Sequence, residues 1–265
     1  MQNINKGERM KKYFLIMALL ATFLQANTVG INEKLGTMVP MDLKFIDENG
    51  DTKTLKELTQ GKVTLLTLNY YRCSGLCSPQ LNQLADMLGR LQLAENTDYK
   101  VLTVGFDESE TPELAAAKRK NQINSIHREY VRDAWHFVIG ENNSSGILAD
   151  KVGFSFKKQI SPTGKVDYMH GAALIVLSPS GKVTRYLNGV NQLVKDVKMA
   201  ILEAKKEKIE PTITKKVPYC FSQEQEIEQK FYLGEKIFSV VMIFGLLGLF
   251  LYLKKIGRKE QDPSE

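Results

Sequence analysis

Through the middle of the chain, short apolar runs alternate with helically spaced apolar positions, while two longer uncharged runs lie towards its ends. Residues 63–70 are nearly continuously apolar, rich in Val, Leu, Thr and Tyr, and bounded by Gly61-Lys62 and a cysteine-bearing loop. That pattern predicts a central strand covered on both faces. Residues 42–45 predict a short strand before the turn Glu48-Asn49-Gly50-Asp51, and 100–104 and 135–139 predict two more. Residues 172–177 and 182–186 flank Ser178-Pro179-Ser180-Gly181 and predict a hairpin. Ser78-Pro79 predicts a helix start, since a hydroxyl cap precedes the residue best tolerated in the first turn. Leu81, Leu84, Leu88 and Leu91 then recur on one helical face. Thr111-Pro112-Glu113 predicts a helix running towards Arg128, residues 142–152 predict another, and Val194, Val197, Ile201 and Ala204 mark the apolar face of a last one. Strand and helix units closed by a hairpin and a helix predict one layered α/β domain over residues 35–207, long enough to enclose a core.

The terminal runs add a compartment. Met10-Lys11-Lys12 precedes the apolar residues 13–24, and Gln25-Ala26 follows as a cleavage boundary, so residues 1–26 read as a signal peptide, with an uncleaved anchor as the alternative. Residues 237–253 carry no charge and are followed by Lys254-Lys255-Ile256-Gly257-Arg258-Lys259. At about 1.5 Å rise per residue, with flanking lysines snorkelling, they nearly match a bilayer core of about 30 Å. The basic cluster predicts a cytoplasmic tail over 254–265 and a body on the extracytoplasmic, periplasmic side. Residues 208–236, with Pro211 and Pro218, read as a linker and a membrane-proximal helix capped by Ser222 and Gln225. The formal charge of +6 owes much to the membrane flanks, and the body has no basic stripe with interleaved aromatics, zinc-finger spacing or glycine-rich phosphate loop. A nucleic-acid partner is excluded on those grounds.

Candidate chemistry centres on Cys73 and Cys77, two thiols four residues apart where the strand at 63–70 meets the helix behind Ser78. That junction makes the sulfurs available to each other and to a soft metal. Tyr71-Arg72-Cys73-Ser74-Gly75-Leu76-Cys77-Ser78-Pro79, then Val104-Gly105-Phe106-Asp107-Glu108-Ser109-Glu110-Thr111-Pro112-Glu113, then Asp167-Tyr168-Met169-His170 before a hydrophobic strand resemble, in order, the three signature regions of the Sco/SenC family. That resemblance implies a thioredoxin-like three-layer domain with a central sheet, here with one C-terminal transmembrane helix. It further implies a membrane-attached copper protein that matures the copper centre of cytochrome c oxidase. By position it makes Cys73, Cys77 and His170 the ligands of a copper ion, Cu(I) or Cu(II), with Asp107 as a supporting acid. Glu110 stands where relatives often carry a second aspartate. The implied partners are a copper-receiving oxidase subunit or another copper chaperone, besides the membrane. The donor types agree, because thiolates favour Cu(I) and imidazole completes the set or accommodates Cu(II).

Each residue has a plainer reading. Cys73 and Cys77 suit a structural disulfide, His170 a turn or core histidine, Asp107 a cap for the turn before Thr111, and Met169 core packing. The helix end behind Ser78 is expected to favour ionisation of Cys77, with Arg72 supporting either sulfur. His127 and His136 are weaker candidate ligands, and Cys220 reads as an unpaired or intermolecular thiol. The alternative function is a thiol-disulfide oxidoreductase that keeps the cysteines of an oxidase subunit or another exported protein reduced; Cys73 and Cys77 are then the catalytic pair and His170 is dispensable. A non-catalytic assembly role is a third reading.

Overall fold

The computed structural model describes residues 29–73, 75, 77–107, 109–160 and 166–212, together with 242, 243, 245, 246, 248 and 250. The expected signal peptide at 1–26, most of the linker at 208–236, Cys220 and the tail at 254–265 lie outside them. The chain divides into two units, 1–220 and 221–265. In the second, the six described residues are helical and exposed. Most of the apolar run at 237–253 lies outside the described residues, and among those described no helix is long and apolar enough to cross a membrane.

In chain order the first unit runs β1 (Gly30–Ile31), β2 (Lys44–Ile46), β3 (Thr52–Thr54), α1 (Leu55–Thr59), β4 (Val63–Asn69), α2 (Cys77–Arg90) and β5 (Tyr99–Gly105). It continues with α3 (Pro112–Asn124), β6 (Trp135–Gly140), α4 (Ser144–Lys151), β7 (Phe154–Ile160), β8 (Val166–His170), β9 (Ala173–Leu177), β10 (Val183–Asn188) and α5 (Val194–Ala204). The main sheet has the order β10-β9-β4-β5-β6-β2-β3. Its centre, β4-β5-β6, is parallel because α2 and α3 cross over between successive strands, and the flanking strands are antiparallel. β4 and β5 are buried at every residue, as a strand with both faces covered must be.

One face packs Val63, Leu65, Trp135 and Phe137 against Leu81, Leu84 and Leu88 of α2 and Val197 and Ile201 of α5. The expected leucine stripe of α2 is therefore the inner face of that helix, each fully buried leucine contributing about 1.5–3 kcal/mol. The other face packs Phe45, Leu66, Leu68 and Leu102 against Leu55 and Leu58 of α1, Leu148 of α4 and Phe154 of β7. The result is a layered α/β domain. The predicted hairpin is β9–β10; at its turn Gly181 has φ +85°, and a Cβ there would meet Met41 Sδ at 2.5 Å.

Four departures from expectation matter. α2 begins at Cys77, which puts a candidate ligand inside the first turn instead of ahead of Ser78-Pro79. α1 was not expected, although Thr54 and Glu57 form a reciprocal capping box, with Glu57 N donating to Thr54 Oγ1 at 3.2 Å and Thr54 N donating to Glu57 Oε2 at 2.7 Å. Residues 208–212 run against the domain: Glu210 N donates to the Thr184 carbonyl at 3.1 Å, and the buried Arg185 meets Glu203 and Glu210. The last departure is a separate sheet, β1-β7-β8, whose β7–β8 hairpin ends on His170. His170 thus belongs to that hairpin and not to the lead-in of the main-sheet strand that follows.

Candidate metal centre

The sheet and the hairpin meet at the C-terminal end of β4. Cys73 lies in the loop that leaves this strand, held by a turn in which its N–H donates to the Tyr70 carbonyl at 3.2 Å. Cys77 opens α2, and His170 closes β8, 93 residues further on. The ligand atoms of Cys73, Cys77 and His170 all lie within 4.8 Å of one another, and the three side chains are 6%, 2% and 1% exposed. Both cysteines are reduced.

The tautomer of His170 follows from its neighbours. Nδ1 lies 2.8 Å from the Gly171 carbonyl, an acceptor only, so Nδ1 carries the proton. Nε2 then presents its lone pair to Cys77 Sγ at 3.4 Å. A backbone carbonyl fixing one ring nitrogen while the other faces the donor set is the usual way to aim a ligating imidazole. The ring is further walled by Phe106 and Phe154, at centroid separations of 5.3 and 5.8 Å, and by the edge of Tyr70 at 6.0 Å. Phe106 stacks on Phe156 at 4.4 Å, so β7 supplies the back of the same wall.

Gly75 N donates to the Cys73 sulfur at 3.3 Å, and the Tyr70 hydroxyl beside that sulfur donates its one proton to Asp167. Burial, then Asp167 and Cys73, push the Tyr70 phenol far above its ordinary value, so it remains a donor. Cys77 contradicts the expected ionisation. Burial pushes its thiol well above the ordinary range and the Cys73 sulfur adds to this, while hydrogen bonds from the Tyr70 backbone and the Asn69 side chain oppose the rise. The partial charge of a helix end does not offset full desolvation, so the metal-free site holds a neutral Cys77 thiol. A soft cation displaces that proton on binding.

The acidic turn after β5 divides its work differently from the expectation. Asp107 Oδ1 accepts from Ser109 N at 3.0 Å and from Ser109 Oγ at 2.6 Å, which is the turn-capping role. Its reach towards the site is through Tyr168, whose phenol is raised by burial and by Asp107 beside it, and not through His170. Glu110, noted in the sequence only as a replacement, is the structural acid: Oε2 accepts from Tyr71 N and Oε1 from Arg72 N, both at 2.7 Å. The carboxylate thereby clamps the backbone just before Cys73. Arg72 itself is exposed, and Met169 is half-buried on the opposite face of β8 from Tyr168 and His170. His136 pairs with Glu48 at 3.0 Å and His127 is exposed, so neither joins the cluster.

Two cysteine sulfurs and an imidazole lone pair, buried and converging, form a donor set suited to a soft monovalent or borderline divalent ion. Comparison with known proteins identifies the family. The family model for SCO1/SenC matches residues 33–203. A SCO1 protein homolog of Bacillus subtilis (strain 168) is 26% identical over 163 residues, covering 59% of this chain and 79% of the relative. A solved protein of Aquifex aeolicus VF5 superposes with TM-score 0.56 at 26% identity, covering 65% of this chain and 95% of its own. A SCO1/SenC family lipoprotein of Bacillus anthracis str. Ames shares the fold, with TM-score 0.50 at 18% identity over 66% of this chain and 98% of its own.

Proposed function

Because the chain belongs to the SCO1/SenC family, we propose that it carries one copper ion on Cys73, Cys77 and His170 and delivers it, outside the cytoplasm, to a respiratory cytochrome c oxidase or its assembly partner. Sco proteins bind copper and are linked to cytochrome c oxidase assembly. The observation that carries the reading is the His170 imidazole, with Nδ1 committed to the Gly171 carbonyl and Nε2 facing Cys77 Sγ. A purely structural dithiol has no need of an aimed imidazole lone pair.

Copper here is cargo. The two sulfurs supply most of the affinity for Cu(I), and His170 accommodates Cu(II). The aromatic wall of Tyr70, Phe106 and Phe154 keeps water from the imidazole side, and Cys73, the most exposed of the three ligands, is the side from which an acceptor exchanges ligands. The apolar, Lys-flanked run at 237–253 supports a membrane tether with the domain on the outer side. Copper stoichiometry with absorption spectroscopy on the reduced protein, repeated for His170→Ala and Cys77→Ser, tests the site. One copper per chain is expected for the wild type and sharply weakened binding for both variants. Metal-free thiol exchange predicts instead that His170→Ala keeps its reducing activity while stoichiometric copper is absent from the wild type.

A further inference from the structure

We propose that the Tyr70 hydroxyl latches the β7–β8 hairpin against the end of β4 through Asp167, and that breaking this bond is the step that uncovers the buried ligands for copper to enter or leave. The inference deepens the copper reading and rests on it only where copper is the readout. The three ligands are 6%, 2% and 1% exposed, so neither an ion nor an acceptor's ligand reaches them without an opening. Cys73 follows the end of β4 and Cys77 opens α2, whereas His170 closes β8 in the separate sheet β1-β7-β8. The site is therefore shared between two sheets, and parting them opens it. β8 is the outer strand of its sheet, with β7 as its only ladder partner among the described residues.

One attachment of β8 to the main sheet is covalent, since Gly171 and Ala172 lead directly into β9. A strand held at one end can swing about it. The second point of attachment is the bond from the Tyr70 hydroxyl to Asp167 Oδ1, three residues before His170. The same carboxylate oxygen accepts from Tyr168 N at 2.9 Å, which keeps the carboxylate close to its own strand. The rings of Tyr168 and His170 lie 5.2 and 6.0 Å from that of Tyr70, and Phe106 meets the same two at 5.4 and 5.3 Å. Such packing favours contact but allows sliding, whereas a bond from hydroxyl to carboxylate is directional. The Gly171 carbonyl sets the rotation of the imidazole, yet it belongs to the next residue and travels with it.

Tyr70 also holds the other side of the site. Its carbonyl accepts the Cys73 N–H at 3.2 Å, so one residue secures the loop of one ligand by its backbone and the strand of another by its side chain. A phenylalanine in this buried place would pack the same ring without burying a hydroxyl, which costs free energy unless it is bonded. Asp167 supplies that bond, and as a carboxylate it makes the bond one of the stronger kind. Its loss corresponds to roughly tenfold in the equilibrium between latched and open forms. Because the bond joins groups that do not ligate the metal, its loss weakens the closed form equally with and without copper. The latch therefore governs how often the site opens and leaves the equilibrium affinity where it was.

The test is the rate at which iodoacetamide labels Cys77 in the reduced, metal-free protein, read by mass spectrometry at urea concentrations well below unfolding. Wild type is compared with Tyr70→Phe, Asp167→Asn, Asp167→Leu and the double variant Tyr70→Phe/Asp167→Leu. Tyr70→Phe should label roughly tenfold faster than wild type. Asp167→Asn keeps an oxygen acceptor and should label more slowly than Asp167→Leu. Beside Asp167→Leu, Tyr70→Phe should add less than about twofold, because the hydroxyl then has no carboxylate to hold. Labelling of Tyr70→Phe within about twofold of wild type, or an undiminished effect of Tyr70→Phe beside Asp167→Leu, overturns the latch; if Asp167→Leu does not fold, Tyr70→Phe decides alone. In the copper-loaded protein, Tyr70→Phe should pass Cu(I) to the chelator bathocuproine disulfonate roughly tenfold faster, with an equilibrium affinity within about threefold of wild type. Unchanged transfer with weakened affinity overturns the gating role. Failure of the wild type to bind copper overturns the copper reading and leaves the labelling result to judge the latch.

Discussion

Glu110→Ala is the perturbation with the clearest structural consequence. The carboxylate is 5% exposed and accepts two backbone N–H groups, from Tyr71 and Arg72, at 2.7 Å each. The variant leaves the Tyr71 N–H buried with no acceptor and the Arg72 N–H partly so. Each fully buried donor stranded in this way costs about 1–3 kcal/mol, and charge-assisted bonds lie at the upper end. Against this, burial already raises the Glu110 carboxyl above its ordinary value, and its removal relieves that desolvation. The net expectation is a loss of about 2–3 kcal/mol, or about 4–12 °C in Tm for a domain of this size. Glu110→Gln keeps the volume but offers one acceptor and points an NH2 at the other donor, so it should recover no more than about half of that loss. Urea denaturation of the reduced, metal-free protein measures stability, and copper competition measures the site. Because the clamp holds the backbone one residue before Cys73, copper affinity should fall in both variants with stoichiometry preserved. A Glu110→Ala protein within about 0.5 kcal/mol of wild type, with unchanged copper affinity, refutes the clamp.

Glu48 is expected to make stability depend on acid: burial raises its carboxyl, but the His136 hydrogen bond and the charges of His136 and Arg119 outweigh this and hold it below its ordinary value of 4.5. A depressed carboxyl contributes stability above its unfolded pKa and loses it as pH falls through the folded one, so the gap between wild type and Glu48→Gln should shrink as pH falls below about 4.5 and through the depressed folded value. A gap that does not change down to acid unfolding argues against it. Phe106→Ala removes the ring that meets His170, Tyr168, Phe154 and Phe156, and should cost about 3–5 kcal/mol and weaken copper binding without deleting a ligand; urea curves and copper competition report both. Protease added from the outer side of intact cells should release most of the body and leave residues 254–265 protected, whereas labelling of Cys73 by a reagent confined to the cytoplasm would sink the topology.

Local pattern was enough to mark the central strands, the leucine face of α2, the terminal hairpin and the last helix, because burial on one or both faces imposes a period that survives in a single sequence. It also supplied the donor types, since two cysteines at a strand-to-helix corner are a chemical statement before any fold is known. The Thr54 and Glu57 capping box was equally local and readable, yet α1 is only five residues long and too short for periodicity to announce it. Other features were not local at all. β7 reads Phe-Ser-Phe-Lys-Lys-Gln-Ile and grows more exposed along its length, so its pairing with β8 leaves little apolar alternation to detect. That hairpin is what brings His170 to Cys77 across 93 residues of chain. The neutral state of Cys77 depends on how much water the assembled layers exclude, which outweighs a helix end that the sequence does reveal. The uses of Glu110 on the cysteine loop, of the Tyr70 hydroxyl on Asp167, and of the Gly171 carbonyl in setting the imidazole tautomer depend on which polar groups the fold leaves facing one another once buried. Periodicity records which side of an element is dry, whereas hydrogen-bond partners are chosen only when distant elements close over them.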